Sequence, residues 1–346
     1  EPYRRQRQMC IRDSYGDIEN KGWEISLNTH PLIGAFEWDS DFQISFNRNK
    51  LRALDGTANA QIVGYGQWSD VVSVTNVGES LYNFYGYVCD GVYEDLEDLQ
   101  TSAKPAKYPA DGVFNRTNTV WVGDIKYKDL NGDGVIDEND RTNIGSPLPK
   151  FTFGWTNTFR YKNFDLSLFI NGSYGNKVFN YLGMKLTHMN SPWSNQLNTV
   201  LDRAQIVPID PNKDYSAGVV VNGVTIYNWY DDITNVRVAN AGATIPRASI
   251  QDPNDNDRIS DRYIEDGSYI RLKNITLGYT FPGKIIKKWG LDNLRVYANI
   301  QNLLTITGYS GYDPEIGAST ASANVYGLDN GRYPCLLYTS PSPRDY

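Results

Sequence analysis

The chain has 346 residues, of which 21% are charged, and its formal net charge is −7. It contains no run of about 18 apolar residues, which excludes a membrane-spanning helix of ordinary length. The negative charge and the lack of a basic stripe argue against a nucleic-acid partner. Cys10, Cys89 and Cys335 lack the spacing of a zinc site, and two histidines, His30 and His188, are too few for a His-rich metal site or an obvious catalytic triad.

Aromatic residues are abundant, with 25 tyrosines, 12 phenylalanines and 8 tryptophans. This content is typical of membrane β-barrels, in which aromatic side chains form girdles at both bilayer interfaces. A soluble β-sandwich or propeller is also rich in aromatics. Composition therefore leaves both classes open.

The first two-faced segment runs from Trp23 to Leu27, where apolar and polar residues alternate. Successive side chains of a strand point to opposite faces, so this pattern predicts a strand with one apolar face. Pro31 is predicted to end it. The alternation resumes between Phe42 and Asn47, and residues 35–47 are predicted to form the return strand or strands.

The next part of the chain is less regular. Glycines interrupt short aromatic stretches between residues 51 and 100, and residues 101–116 contain Pro105 and Pro109 and are predicted to be an exposed loop. Residues 119–128 are predicted to form a strand that runs directly into an acidic loop.

A hairpin is predicted from residues 151–161 and 164–173, joined by Lys162 and Asn163. The first strand alternates cleanly. The second places Phe169 on its polar face, which is expected where a lumen is plugged or a loop packs inside.

Residues 180–261 form a long, polar and weakly periodic segment, in which Leu201 to Gln205 are predicted to form a helical turn. A final hairpin is predicted from residues 269–281 and 294–304, with strict alternation between Asn274 and Phe281. Strands of this kind separated by long polar loops are typical of a membrane β-barrel, whose extracellular loops are long and whose periplasmic turns are short.

The acidic loop from Asp129 to Asp140, DLNGDGVIDEND, has the spacing of an EF-hand calcium loop. Hard oxygen ligands alternate, a glycine stands at position six, and position seven contributes its backbone carbonyl. The predicted calcium ligands are Asp129, Asn131, Asp133, Val135 through its carbonyl, Asp137 and Asp140. Asp140 is shorter than the usual glutamate at position twelve, and no helices flank the loop. A solvated turn without metal remains the alternative.

No catalytic constellation is found. The sequence lacks the nucleophile-elbow, zinc-protease and phosphate-loop motifs, and acidic residues alone do not define a carboxylate pair at the separation that glycoside hydrolysis needs. We therefore expect that the chain is not an enzyme.

Several longer phrases, in the same order along the chain, resemble SusC/RagA-type TonB-dependent outer-membrane transporters. The phrases are YGDIENKGWEISLN, DLNGDGVIDENDRTNIGSPLPKFTFGWTNTFRYKNFDLSLFINGSYGNKVFN, DGSYIRLKNITLGYTFP, NLRVYANIQNLLTITGYSGYDPE and YGLDNGRYP. They cover most of residues 15–334, whereas residues 190–260 match poorly.

This resemblance implies an all-β fold: an antiparallel transmembrane β-barrel segment, the C-terminal part of a 22-stranded barrel with long extracellular loops. It also implies localisation in the outer membrane of a Gram-negative bacterium and uptake of oligosaccharides or peptides. The implied partners are a SusD-like surface lipoprotein and the TonB complex, which would act through a plug and TonB box outside this chain.

The two ends are predicted not to belong to the fold. Residues 1–14 contain MCIRDS and residues 335–346 contain LLYTSPSPRD, and both resemble translated sequencing-adaptor sequence. Residues 15–334 are the predicted barrel region, which we expect to be a fragment.

Two other hypotheses remain open. A soluble calcium-dependent carbohydrate-binding or hydrolase β domain would turn its apolar faces into a closed core. A barrel that does not transport, such as an adhesin or an enzyme barrel, would share the strand pattern. The direction in which the apolar residues face separates the first of these hypotheses from the membrane hypothesis.

Overall fold

The computed structural model describes residues 16–54, 60–66, 69–318 and 324–333. Six long strands form one antiparallel sheet in which chain neighbours are also sheet neighbours. The strands are β1 (Gly16–Leu32), β2 (Phe36–Leu54), β3 (Phe151–Tyr161), β4 (Phe164–Tyr174), β5 (Tyr269–Thr280) and β6 (Arg295–Thr307). The two predicted artefactual ends, residues 1–14 and 335–346, lie outside the described residues.

The register of the sheet places apolar residues together on one face. Trp155 lies opposite Phe42 of β2 and Ile170 of β4. Leu277 lies opposite Leu166 of β4 and Ala298 of β6. Since residues opposite each other in a ladder share a face, the six strands present one continuous apolar face and one polar face.

The apolar face is exposed and is not the core of the molecule. Trp23 is 79% exposed, Leu277 50% and Val296 57%. The buried apolar clusters lie instead in the connections between strands and contain residues such as Trp121 and Phe179. An apolar sheet face that no other part of the protein covers is explained if lipid covers it, as on the wall of a membrane barrel.

Aromatic side chains on the apolar face form two bands. The band at the end of the sheet with short turns consists of Phe36, Trp38, Phe159, Tyr161, Phe164, Tyr279 and Phe281, linked by ring contacts such as Phe164–Tyr279 at 4.7 Å between ring centroids. The band at the opposite end consists of Trp23, Phe46, Phe151 and Tyr174. Between the bands, β4, β5 and β6 carry aliphatic side chains, whereas β2 and β3 also carry Phe42, Phe153 and Trp155. Aromatic bands at both ends of an apolar face are the girdles of a bilayer-spanning wall.

Asn157 and Ser40 are polar residues on the apolar face whose side chains find partners within it. Asn157 and Ser40 lie opposite each other in the β2–β3 ladder. The indole N–H of Trp38 donates to Asn157 Oδ1 at 2.9 Å, and that of Trp155 donates to Ser40 Oγ at 2.9 Å. In lipid, a polar group without a partner costs several kcal/mol, so this mutual pairing makes both residues tolerable there.

A bulge keeps the apolar residues of β5 on the same face along its whole length. The register shifts between Leu272 and Asn274, and Asn302 of β6 adopts a left-handed φ of 52° close to the bulge. A shift of one residue exchanges the two faces of a strand. Ile270 and Leu272 before the shift therefore face the same way as Leu277 after it.

Three sequence-based strand boundaries differ from the structure. β1 continues through Pro31, which is tolerated because it lies in the register irregularity between Thr29 and Leu32, where the regular ladder is interrupted. β2 extends to Leu54, well beyond the predicted return strand. The strand predicted over residues 119–128 is reduced to Ile125–Tyr127, because the preceding residues turn to bury Trp121.

All long connections leave the sheet at the same end. The first lies between β2 and β3, the second between β4 and β5, and the third follows β6. The short turns at the opposite end comprise residues 33–35, Lys162–Asn163 and residues 281–294. In the two-residue turn Lys162 has a φ of 53°, a left-handed conformation typical of tight hairpin loops. We call the packed connections the connection body: residues 60–66 and 69–150, residues 175–268, and residues 308–318 and 324–333.

The connection body contains short strands and helices. The strands are Gln61–Tyr65, Val71–Asn76, Phe84–Gly86, Cys89–Val92, Lys104–Pro105, Ile125–Tyr127, Val135–Ile136, Thr142–Gly145, Lys177–Asn180, Ile206–Pro208, Val219–Val221, Val224–Ile226, Val236–Val238, Ile264–Asp266 and Leu328–Asp329. The α-helices among the described residues are α1 (Leu96–Thr101), α2 (Tyr181–Thr187) and α3 (Gly283–Ile286), the last in a short turn. Short 3₁₀ helices are Glu138–Asp140, Asn198–Asp202, Trp229–Asp231, Ile233–Asn235, Asp261–Tyr263 and Lys287–Trp289. The helical turn predicted at Leu201 is the second of these, although it ends before Arg203. Of the described helices, none has the length and apolar character needed to cross a membrane.

Candidate functional site

The polar face of the sheet carries a cleft where β4, β5 and β6 meet the third connection. Its volume is about 550 Å³. The lining residues are Phe169, Arg271, Lys273, Asn274, Gln301, Asn302, Asp313, Glu315, Arg332 and Tyr333. The cleft therefore combines charged groups of both signs, amides and two aromatic rings, a set that can bind a polar oligomer through hydrogen bonds and stacking.

Arg271 fixes the third connection to the polar face. Its side chain is buried, and Nη2 contacts Asp313 Oδ1 at 2.5 Å while Nη1 contacts Glu315 Oε2 at 2.8 Å. Its Nε donates to Thr305 Oγ1 at 2.9 Å. A buried guanidinium requires partners for its donors, and these three residues supply them. Lys273, at the bulge, adds a contact with Glu315 Oε1 at 3.2 Å.

Phe169 is the aromatic residue that the sequence places on the polar face, and the structure confirms it there. It lines the cleft together with residues of the third connection. Its ring also covers Gly154 of β3, since a Cβ at that position would lie 3.3 Å from Phe169 Cε2. The expectation that a loop packs against this face is met by residues 313–315 and 332–333.

The acidic loop folds around its own carboxylates. Asp129 accepts hydrogen bonds from Gly132 N at 2.6 Å and from Gly134 N at 2.8 Å. Asn131 Oδ1 accepts from Asp133 N, and Asp133 Oδ1 accepts from the next-but-one residue, Val135, each at 2.9 Å. Gly134 has a φ of 82°, a conformation that favours glycine. The hydrogen bond from Gly134 N–H, with others from the loop backbone, lowers the pKa of Asp129.

The last predicted ligand behaves differently from the others. Asp140 is fully buried, and its two oxygens accept from Leu130 N at 2.9 Å and Asp137 N at 2.8 Å. These contacts close the loop at its base. The chemistry of Asp129, Asn131, Asp133 and Asp137 suits a hard cation such as calcium, and the carbonyl of Val135 follows the same spacing. Asp140 differs from them in being fully buried, whereas Asp129, whose two oxygens also accept backbone hydrogen bonds, is only partly buried.

A second polar cluster was not found from the sequence. His188 Nε2 lies 3.0 Å from Asp252 Oδ2, and His188 Nδ1 lies 3.1 Å from Asp257 Oδ2. Within the described residues, this is the group of three acidic or histidine side chains whose ligand atoms all lie within 4.8 Å of one another. Both ring nitrogens face carboxylates, so the protonated ring donates from both and has no lone pair for a metal.

The two carboxylates set the charge state of His188. Burial lowers the pKa of His188, but the hydrogen bonds and charges of Asp252 and Asp257 outweigh it and raise the pKa to about 9. The pKa of Asp257 is lowered, because the contacts with His188 and the charge of Lys185 exceed the opposing effect of burial.

Asp252 connects this cluster to the first connection. It accepts from Asn256 Nδ2 at 2.5 Å, and Asn256 Nδ2 also donates to the fully buried Asp124 at 3.2 Å. Asp124 in turn pairs with Arg247 Nε at 2.7 Å and accepts from Trp121 N at 2.8 Å. This network joins two connections that are distant in sequence. In the sequence, part of this network is the run DPNDNDR at residues 252–258. Its polar composition suggests a solvent-exposed loop, so the buried network could not be predicted from it.

Comparison with known proteins gives relatives along most of the chain, although no family model matches. TonB-dependent receptor P3 of Formosa agariphila is 33% identical over 327 residues, which are 92% of this chain and 28% of that protein. TonB-dependent receptor SusC of Bacteroides thetaiotaomicron is 27% identical over 320 residues, 91% of this chain and 26% of that protein. The chain thus spans somewhat more than a quarter of the length of these relatives.

Solved structures agree on the fold. The RagAB peptide transporter matches with a TM-score of 0.58 and 19% identity, over 92% of this chain and 28% of the other. The RagAB peptide importer in its closed-closed state matches with a TM-score of 0.55 and 18% identity, over the same shares. An antiparallel meander with an exposed apolar face, two aromatic bands and long connections at one end is a segment of a transmembrane β-barrel. The identity to TonB-dependent receptor P3 shows that the chain belongs to the TonB-dependent receptors, as the resemblance predicted. The similarity to SusC, and the fold shared with the RagAB structures, agree with the SusC/RagA type.

Proposed function

We propose that this chain supplies part of the barrel wall and outer loops of an outer-membrane active transporter that imports glycans or other oligomeric nutrients, including peptides. The observation that carries the proposal is the two-faced sheet. Its apolar face is exposed and bounded by aromatic bands, while its polar face holds a cleft of about 550 Å³ lined by charged, amide and aromatic side chains. A wall with lipid on one side and a polar conduit on the other requires this division.

Energy and capture would come from partners outside the chain. The relatives are named for their dependence on TonB, so we propose that a TonB complex acts on a part of the protein that this chain does not include. We also propose that a SusD-like lipoprotein contacts the connection body, which lies at the end of the sheet with long loops.

The soluble alternative is disfavoured by the orientation of the strands. A calcium-dependent carbohydrate-binding or hydrolase domain would bury the apolar faces of its strands, whereas Trp23, Ile25 and Leu277 are each at least half exposed. Burial of such side chains contributes roughly 1.5–3 kcal/mol each, so a soluble fold would not leave a whole face uncovered.

We further propose that the acidic loop binds calcium through Asp129, Asn131, Asp133, Asp137 and the carbonyl of Val135, with Asp140 closing the base of the loop. A cation there would offset the negative charge gathered within a few residues. It would also stabilise residues 129–150, the last part of the first connection before β3. The role is structural, since the loop lies outside the cleft.

The experiment that tests the transporter proposal is uptake by cells that carry the whole parent protein. Fluorescent oligosaccharides and peptides would be offered with and without a protonophore that abolishes the proton gradient. Uptake that stops with the protonophore supports active transport. Uptake that continues indicates a passive pore, and the absence of uptake for every oligomer contradicts the proposal.

A further inference from the structure

The turn between β5 and β6, residues 281–294, differs in chemistry from the rest of the chain. It contains α3 and the 3₁₀ helix Lys287–Trp289. This helical segment ends at Gly290, which has a left-handed φ of 72°. Three lysines, Lys284, Lys287 and Lys288, stand against one acidic residue, Asp292. The turn is therefore basic although the whole chain carries a net charge of −7.

Large apolar side chains of the same turn are exposed. Trp289 is 64% exposed, Ile285 47% and Leu291 42%, while Ile286 alone is buried at 1%. Ile285 and Trp289 are four residues apart, so they share a side of the helical segment. A short turn that needed only to reverse the chain would not place three large apolar side chains in water.

The three lysines of the turn form no ion pairs with other described residues. Among the described residues, none of Lys284, Lys287 and Lys288 forms an ion pair, and all three are exposed. Their ammonium groups are thus available to an external anion.

The position of the turn indicates what that anion is. Phe281 N donates to Leu294 O at 2.9 Å, and the Phe281 ring contacts Tyr279 at 5.0 Å between centroids. Tyr279 belongs to the aromatic band at the short-turn end of the apolar face. The turn therefore continues the apolar face at the depth where bilayer headgroups lie, a place in which tryptophan and lysine contact lipid phosphates and acyl chains together.

We propose that residues 281–294 form a basic foot that binds the headgroups of anionic phospholipids in the leaflet at the short-turn end of the wall. Lys284, Lys287 and Lys288 contact the phosphates, and Ile285, Trp289 and Leu291 enter the adjoining acyl region. The inference rests on the proposed membrane location of the wall but adds a lipid preference that the wall itself does not require.

The test uses the protein reconstituted in vesicles of phosphatidylcholine, with or without phosphatidylglycerol. Acyl-brominated lipids quench tryptophan fluorescence, and the difference between the wild type and Trp289→Phe isolates the signal of Trp289. We expect quenching of Trp289 that increases with phosphatidylglycerol. Replacing the three foot lysines (K284Q, K287Q and K288Q) should weaken the preference for phosphatidylglycerol on the order of 100-fold, since each surface lysine contributes about fivefold.

The control replaces three lysines at the other end of the sheet and in the connection body, K50Q, K107Q and K128Q, which changes the net charge equally. An equal loss in both triple variants would show a nonspecific charge effect and overturn the foot. Protection of Trp289 from aqueous iodide without quenching by brominated lipid would mean that protein covers the turn, which also overturns it.

The same samples separate this inference from the transporter proposal. Trp155 lies on the apolar face in the middle of the wall, and the difference between the wild type and Trp155→Phe isolates its signal. Quenched Trp155 with unquenched Trp289 would overturn the foot alone. If neither residue is quenched, the membrane wall and the foot both fail.

Discussion

His188 couples the charge of one side chain to the stability of the connection body. Its folded pKa of about 9 exceeds the ordinary value of 6.5, because the hydrogen bonds and charges of Asp252 and Asp257, which face its two ring nitrogens, outweigh the opposing effect of burial. A group whose pKa is raised by folding contributes stability that is fully present below its unfolded pKa. That contribution is lost as the pH rises from about 6.5 to about 9.

We therefore predict that the His188→Gln variant loses more stability at pH 6 than at pH 9.5. The pKa difference corresponds to at most about 3 kcal/mol at the acidic end. The measurement is the denaturation midpoint of both proteins across this range. His30→Gln is the control, since the His30 ring also contacts a carboxylate, that of Asp39 at 2.6 Å, but is exposed on β1, where solvent screens the pair. A loss for His188→Gln that does not change with pH would refute the charge-coupling argument.

The acidic loop supports a second prediction at the residue scale. Asp133→Asn retains an oxygen for the hydrogen bond from Val135 N but removes a negative charge. We expect the variant to lose most of the rise in melting temperature that calcium produces, and to match the wild type in chelator. Asp140→Asn, whose buried oxygens hold Leu130 and Asp137, should destabilise the protein in both conditions. A wild type that does not respond to calcium contradicts the metal proposal.

Sequence reasoning reached these two clusters unequally. The order of residues from Asp129 to Asp140 is local, so spacing alone predicts a calcium loop or, without metal, a solvated turn. The cluster at His188 is assembled from residues more than sixty positions apart, and no local pattern reports such a contact. The burial of Asp124, Arg247 and Asn256 depends on the same long-range packing, so it could not be predicted from the sequence either.

At the scale of elements, we predict that introducing a charge at neighbouring positions of β5 has different effects on stability. Leu277 faces outward on the apolar side, and Thr276 faces the polar side. An arginine at the middle of the lipid face of a barrel costs roughly 2–4 kcal/mol, whereas the polar side accepts charge. Leu277 lies two residues from Tyr279 of the aromatic band, between the midplane and the interface, where the cost falls towards about 0–1 kcal/mol. Leu277→Arg should therefore lower the free energy of unfolding in vesicles by roughly 1–3 kcal/mol, and Thr276→Arg should have little effect. Urea titration in the bilayer would measure both, and equal losses would argue against a lipid face.

The strands were the part of the fold that the sequence predicted well. Two-faced alternation defines a strand locally, and it identified all six wall strands and both later hairpins. Their ends were less well predicted, as Pro31 shows: a proline ends a regular strand but is tolerated at a bulge, and the irregularity between Thr29 and Leu32 is a property of the pairing of β1 with β2. The bulge at residues 272–274 likewise became evident only from the pairing.

At the scale of the whole molecule, the connections form a packed body and not a set of independent loops. Trp121, Val122 and Ile125 of the first connection share a buried cluster with Ile233 and Val236 of the second. Val325 and Leu328 of the third connection join Phe84 and Phe179 in another. This explains why residues 180–261, polar and weakly periodic in sequence, are nevertheless well structured: their sparse apolar residues complete cores begun elsewhere.

The shared core predicts that damage to one connection spreads to another. Ile233 is 2% exposed, so Ile233→Ala removes buried methyl groups at a cost of roughly 2–5 kcal/mol. Because its cluster includes Trp121 and Ile125, we expect faster amide hydrogen exchange not only near residue 233 but also in Ile125–Tyr127. Val220→Ala, in the same connection but 69% exposed, should leave both segments unchanged. If exchange accelerates only around residue 233, the connections open independently, and a ligand or partner bound to one of them would have no route to the other through this core.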